Sequence, residues 1–216
     1  MNGWVTTSRW RMRARVRRLT LKSQTQRKRT HKLDRTIAES SFGHIINAPI
    51  QRVDIADWLF QLPTAEYERC CPPAHIAAGV STTGDGNPMV IHVEIIGDRL
   101  MIQKYVGEIT GPDHCRMVSI SEVFSPLGRT TSQVVWDLSV EPIDDQSCEY
   151  INHVKATATD EFLAFLDQHG IPFAQAAATH QEAAVAHNEK ETALFARSIE
   201  HRALPGHHDG SRRGAA

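Results

Sequence analysis

From His75 to Ala158 the chain alternates apolar and polar residues at a period of two through six successive segments. It then closes on helical patterning from Thr159 to Leu204. That order constrains the fold more than any other feature. A run of hairpins makes an antiparallel sheet with one face to bury, and a following helix can cover that face. A curved sheet closed by a helix encloses a space of the kind in which small molecules bind.

The expected strands are His75–Thr83, Met89–Ile96, Leu100–Ile109, His114–Phe124, Thr130–Glu141 and Ser147–Ala158. Gly84-Asp85-Gly86-Asn87 and Gly97-Asp98 are turn sequences, because glycine, and to a lesser degree Asn and Asp, tolerate positive φ. The alternation is clearest in Thr130–Glu141, where Ser132, Val134, Trp136, Leu138 and Val140 share one face. Upstream, Phe42–Ala48 reads as a first strand. Val53–Phe60 and Thr64–Cys70 read as two short helices, ended by Pro63 and by Pro72-Pro73. Thr159 is an expected N-cap and Gly170 an expected stop, so the closing segment divides into a short and a long helix around Gly170-Ile171-Pro172.

The formal net charge of −1 conceals an asymmetry. Residues 1–40 hold 12 Lys/Arg against Asp34 and Glu39, whereas residues 41–216 hold 12 against 23 acids. Such a basic block is expected to be a disordered extension. The expected organisation is therefore a 1–40 extension, a 41–204 domain and a disordered 205–216 tail. Cys70, Cys71, Cys115 and Cys148 lack Cys-x-x-Cys spacing, and adjacent cysteines are poor disulfide partners, so reduced thiols in the cytoplasm are expected. No apolar run approaches the roughly 18 residues of a membrane span.

Ile45-Ile46-Asn47-Ala48-Pro49-Ile50-Gln51-Arg52-Val53, followed by Trp58, resembles the opening of the START-like (SRPBCC) superfamily, over about residues 42–204. The resemblance implies an α+β helix-grip fold: a seven-stranded curved antiparallel sheet, two short helices after strand 1, and a long, broken C-terminal helical segment. It implies a pocket between sheet and helix, near polyketide cyclase/dehydrase and lipid-transport-like members. It implies no activity by itself. The oxygenase branch of the superfamily binds iron through two histidines and a carboxylate, and its paired histidines with four intervening residues are absent here. No cofactor and no metal are expected.

Candidate pocket residues follow from strand parity. They are Val134, Trp136 and Leu138, then Tyr150 and Asn152 on the face of Cys148, and Met89, Ile91 and Val93 on the apolar face of their strand. His92 and Glu94 take the opposite parity and are expected to face solvent. His92, His153 and His44 are weak acid–base candidates. His180, His187 and Glu191 lie on the last helix, His187 and Glu191 four apart, but their neighbours Gln181, Glu182, Asn188, Glu189 and Lys190 suggest a solvated face. There is no Gly-x-Ser-x-Gly elbow and no phosphate-binding glycine loop.

The expected function is binding of a small hydrophobic or aromatic metabolite. One alternative is a cyclase, dehydrase or hydrolase acting by acid–base catalysis in the same space. Another is contact of the basic arm with nucleic acid or acidic membrane, although no nucleic-acid recognition fold accompanies that arm. Oligomeric state is not fixed by these residues.

Overall fold

A computed structural model describes residues 34–204. Most of the basic stretch, including Arg9 to Arg29, and the tail from Pro205 lie outside the described residues. Strands β1 (Thr36–Ile46), β2 (His75–Thr82), β3 (Pro88–Ile96), β4 (Arg99–Thr110), β5 (His114–Ser125), β6 (Gly128–Pro142) and β7 (Cys148–Ala158) form one antiparallel sheet. The sheet order is β1-β7-β6-β5-β4-β3-β2. Helices α1 (Ile55–Phe60) and α2 (Thr64–Cys70) follow β1, and α3 (Asp160–Gln168) and α4 (Phe173–Ala203) follow β7. This is a helix-grip α+β fold.

Local chemistry sets the boundaries. Gly97 has φ of 65° at the first position of a two-residue loop, where Ile96 pairs with Arg99. A type II′ hairpin needs that conformation, and glycine adopts it without a Cβ clash. The Asp54 carboxylate caps α1 through Asp57 N–H, and the Thr159 hydroxyl caps α3 through Phe162 N–H. Gly170, at φ of 64°, ends α3, and Pro172 then stands before α4. β1 begins at Thr36, six residues before the expected strand, because Thr36–Ser41 also pairs along β7 as far as Thr157.

The closing helix is α4. It packs chiefly along β1 and also reaches β3, β7 and α2. Its inward positions, Ala176, Asn188, Glu191, Thr192, Phe195, Ala196, Ile199 and Ala203, recur at three- and four-residue intervals. The apolar core occupies the α1–α2 end, with Trp58, Tyr67, Trp136, Leu138, Tyr150 and Phe195. A second cluster, Ile37, Ala158, Phe162, Leu166 and Ala176, seals α3 to the other end. Buried polar side chains, among them His75, His92, Glu94 and Glu191, interrupt the apolar interior.

Candidate functional site

Tyr67 of α2, His75 at the start of β2, His92 and Glu94 of β3, Asn152 of β7, and His187, Asn188 and Glu191 of α4 converge between sheet and helix. Burial decides their significance. His75 is 3% exposed, Glu94 6% and Glu191 6%. Carboxylates so far from water require partners. They have them in a closed arrangement. His75 Nε2 lies 3.3 Å from Glu94 Oε2 and 3.2 Å from Glu191 Oε2. His187 Nε2 lies 3.2 Å from Glu94 Oε2 and 3.3 Å from Glu191 Oε2.

Further partners hold each member in place. His75 Nδ1 donates to the Tyr67 carbonyl at 2.9 Å, and the Tyr67 hydroxyl donates to Glu94 Oε2 at 2.9 Å. Asn152 Nδ2 donates to Glu191 Oε1 at 3.1 Å, while Asn152 Oδ1 accepts from Trp136 Nε1 at 2.8 Å. His187 Nδ1 faces Cys71 Sγ at 3.9 Å. The Tyr67 ring stacks on His75 at 3.9 Å between centroids and on His92 at 4.4 Å.

The electrostatics diverge within this small volume. Burial alone would lower the His75 pKa, but its bonds to Glu191 and Glu94 outweigh that and lift it to about 9. Burial likewise opposes charge on His187, and the field of Glu94 and Glu191 more than offsets it, so its pKa is also raised. Burial would raise both glutamates; the charge of His187 and bonds to both histidines hold them below the usual range instead. His92 bonds to neither carboxylate, and burial lowers it to about 4. The Tyr67 and Tyr105 phenols are raised by burial and the nearby carboxylates.

A cavity of about 40 Å³ adjoins the cluster, lined among others by His92, Glu94, Tyr105, Trp136, His187 and Glu191. Ile96, Gln103, Val154 and Ala184 also line a second, apolar cavity of about 60 Å³. That cavity shares Arg99, Val123 and His180 with a third, of about 310 Å³, bounded by Leu127, Phe162, Phe165 and Ile171 near α3. The three cavities thus share lining residues in series, with apolar walls near α3 and ionisable ones near Glu94.

The sequence-derived candidates are distributed as follows. Trp136 lines the polar cavity and Val134 the apolar one. Leu138, Tyr150 and Asn152 are fully buried, and the Tyr150 hydroxyl has no hydrogen-bond partner among the described residues. The parity expected for β3 is reversed. Val90, His92 and Glu94 are buried, whereas Met89, Ile91 and Val93 lie half-buried on the other face. The reversal arises because the inner face here is the polar one, so apolar character marks the wrong side of β3. His153 is on the outside, paired with Glu39 at 3.2 Å, and half-buried His44 is not among the residues lining the three cavities.

His187 and Glu191 are not on a solvated face; both turn inward to Glu94 and His75. His180, two turns earlier, is separate from that cluster. Its Nδ1 donates to the Ala176 carbonyl at 2.8 Å, and its buried Nε2 has no partner among the described residues. Sequence reasoning missed His75, Tyr67 and Cys71. The available signal was the alternative parity of β3, which sets His92 and Glu94 inward and so demands buried partners.

Fold and site together define a helix-grip architecture with ionisable side chains buried at one end of its interior. Solved structures agree on the fold. The Zhui aromatase/cyclase from Streptomyces sp. R1128 superposes with a TM-score of 0.53 at 10% identity, covering 76% of this chain and 92% of that one. The di-domain ARO/CYC StfQ from the steffimycin biosynthetic pathway gives 0.52 at 13% identity, over 77% of this chain. The chain spans 53% of that di-domain protein, about half its length. No family model matches the sequence, and no curated protein matches it. No helix among the described residues is long and apolar enough to cross a membrane.

Proposed function

We propose that this protein binds an elongated small molecule, apolar along its body and polar at one end, in the passage between the sheet and α4. One observation carries the reading: the three cavities share lining residues in series, from Phe162 and Phe165 at one end to Glu94 and Glu191 at the other. The largest, at about 310 Å³, reaches the lower bound of small-molecule pockets, which is roughly 300 Å³. Apolar walls supply affinity through burial, at about 25 cal/mol per Å² of ligand surface. The polar end fixes orientation.

Ala184 lines the junction of the polar and apolar cavities, so Ala184→Phe plugs the passage while leaving both ends chemically intact. The probe is N-phenyl-1-naphthylamine, a neutral apolar fluorophore. The variant is expected to weaken its binding by about tenfold, equivalent to about 1.4 kcal/mol. Equal affinity in a folded Ala184→Phe protein would sink the proposal.

A catalytic reading of the same space is favoured by the ionisable lining of the polar cavity, Glu94, His187 and Glu191. Compounds recovered from the native protein and from Glu191→Gln, both expressed in one host, separate the two readings. Catalysis requires a converted compound from the native protein and its precursor from the variant. The same compound from both would leave a binding protein.

A further inference from the structure

His75, Glu94, His187 and Glu191 bring two imidazole Nε2 atoms and two carboxylate Oε2 atoms together in one buried cluster. We infer that it is a site for one divalent transition-metal ion of the zinc class, held by two imidazole Nε2 atoms and two carboxylate Oε2 atoms. A tetrahedral ion with bonds of about 2.0–2.1 Å sets its donors about 3.3–3.4 Å apart along every edge. The four nitrogen–oxygen separations, four of a tetrahedron's six edges, are 3.2, 3.2, 3.3 and 3.3 Å, close to that spacing. All four donor atoms fall within 4.8 Å of one another.

The surroundings match what metal ligands need. A ligating histidine carries its proton on the other nitrogen and donates it to a fixed acceptor. His75 does so through Nδ1 to the Tyr67 carbonyl, which leaves Nε2 free to bind. His187 turns Nδ1 toward Cys71. Glu191 uses its other oxygen to accept from Asn152, and Glu94 accepts from the Tyr67 hydroxyl. Charge closes as well: two carboxylates and two neutral imidazoles sum to −2, matched by one divalent cation in a site with almost no water contact.

Cys71 offers a competing set with His75 and His187. Its sulfur faces His187 Nδ1, not the Nε2 atom that meets both carboxylates, so Cys71 supports the ring and stays outside the donor set. Three donors, Glu94, His187 and Glu191, also line the polar cavity, so the ion would adjoin it. The metal site stands independently of ligand binding, because it rests on the donor geometry alone.

The test is Co²⁺ titration of the full chain after chelator treatment, followed by visible absorption. The expected result is one Co²⁺ per chain with the intense d–d band of tetrahedral cobalt, displaced by equimolar Zn²⁺. Glu191→Gln should weaken the metal at least tenfold. Tyr67→Phe, which keeps the backbone carbonyl, should weaken it by about 10–100-fold. Cys71→Ser should leave the band in place. Only the weak octahedral spectrum of adventitious surface binding, or no band, would overturn the site and leave two buried ion pairs. Loss of the band in Cys71→Ser with retention in Glu191→Gln would overturn the donor set. Dye binding by the metal-free chain separates failure here from failure of the binding reading.

Discussion

Asn152 ties the sheet to the site, and its replacement gives a result whose sign is fixed by the structure. Its amide accepts from Trp136 Nε1 and donates to Glu191 Oε1, with no exposure to solvent. Asn152→Leu preserves volume and orphans both partners. Each buried orphan costs about 1–3 kcal/mol, and a charged one more. The adjoining cavity of about 40 Å³ exceeds the roughly 10–15 Å³ a water needs, so water recovers part of the loss at Glu191. The expected destabilisation is therefore about 2–4 kcal/mol by urea unfolding. Trp136→Phe orphans the Asn152 oxygen, at about 1–3 kcal/mol, and adds the cost of the space its buried ring leaves among His92, Tyr105 and Phe195. In the double variant the orphan at that bond disappears from both sides, so its loss should fall short of the sum by about 1 kcal/mol or more. Additivity within about 0.5 kcal/mol would refute the buried bond and the accounting built on it.

Phe195 is fully buried between Trp58, at 5.1 Å, and His75, at 5.5 Å between ring centroids. Phe195→Ala should cost about 3–5 kcal/mol by urea unfolding, whereas Ile120→Ala, at a 55% exposed position, should stay within about 0.5 kcal/mol. Burial works to raise the Asp137 carboxyl, but bonds to His114 and Arg116 hold it below its ordinary value. A depressed carboxyl stabilises the fold above its unfolded pKa, near 3.9, and that contribution vanishes as pH falls through the folded value. Asp137→Asn should therefore lower the urea midpoint at pH 7 and converge with the native chain as pH falls through and below the depressed folded value. All four cysteines are buried and reduced, with Cys70 and Cys115 pushed up to about 12. Iodoacetamide should label none of them in the native protein within minutes and all four in denaturant; rapid native labelling would contradict the packing.

The sheet was legible because turns and alternation are local. Six strands from β2 to β7 and the break at Gly170 could be read from short windows of residues. The first strand read short, since Thr36–Ser41 has little apolar character and is held by β7, more than a hundred positions away. The site was hardly legible. His75, Glu94 and Glu191 share no motif spacing, and only the fold brings them together. The assumption that apolar residues face inward also fails on β3, where Glu94 is inside and Ile95 is 41% exposed. On α4, polar neighbours such as Glu189 and Lys190 are exposed, yet Glu191 one step further turns inward. A helix with a polar inner stripe looks, in sequence, like one with no inner face at all.

The neighbouring positions of β1 and β7 set the order in which the molecule can be completed. As the chain is synthesised, β2 to β7 can zip hairpin by hairpin, but β1 waits until residues 148–158 have emerged before its edge is satisfied. α4, which lies along β1, comes later still. Half of the four-residue polar cluster rides on that helix, at His187 and Glu191, and the other half is in place on β2 and β3 long before. The pairs that bridge sheet and helix, His75 with Glu191 and His187 with Glu94, first meet when the helix docks. A chain shortened before residue 187 would keep the His75–Glu94 contact while leaving His75 without Glu191 and Glu94 without His187.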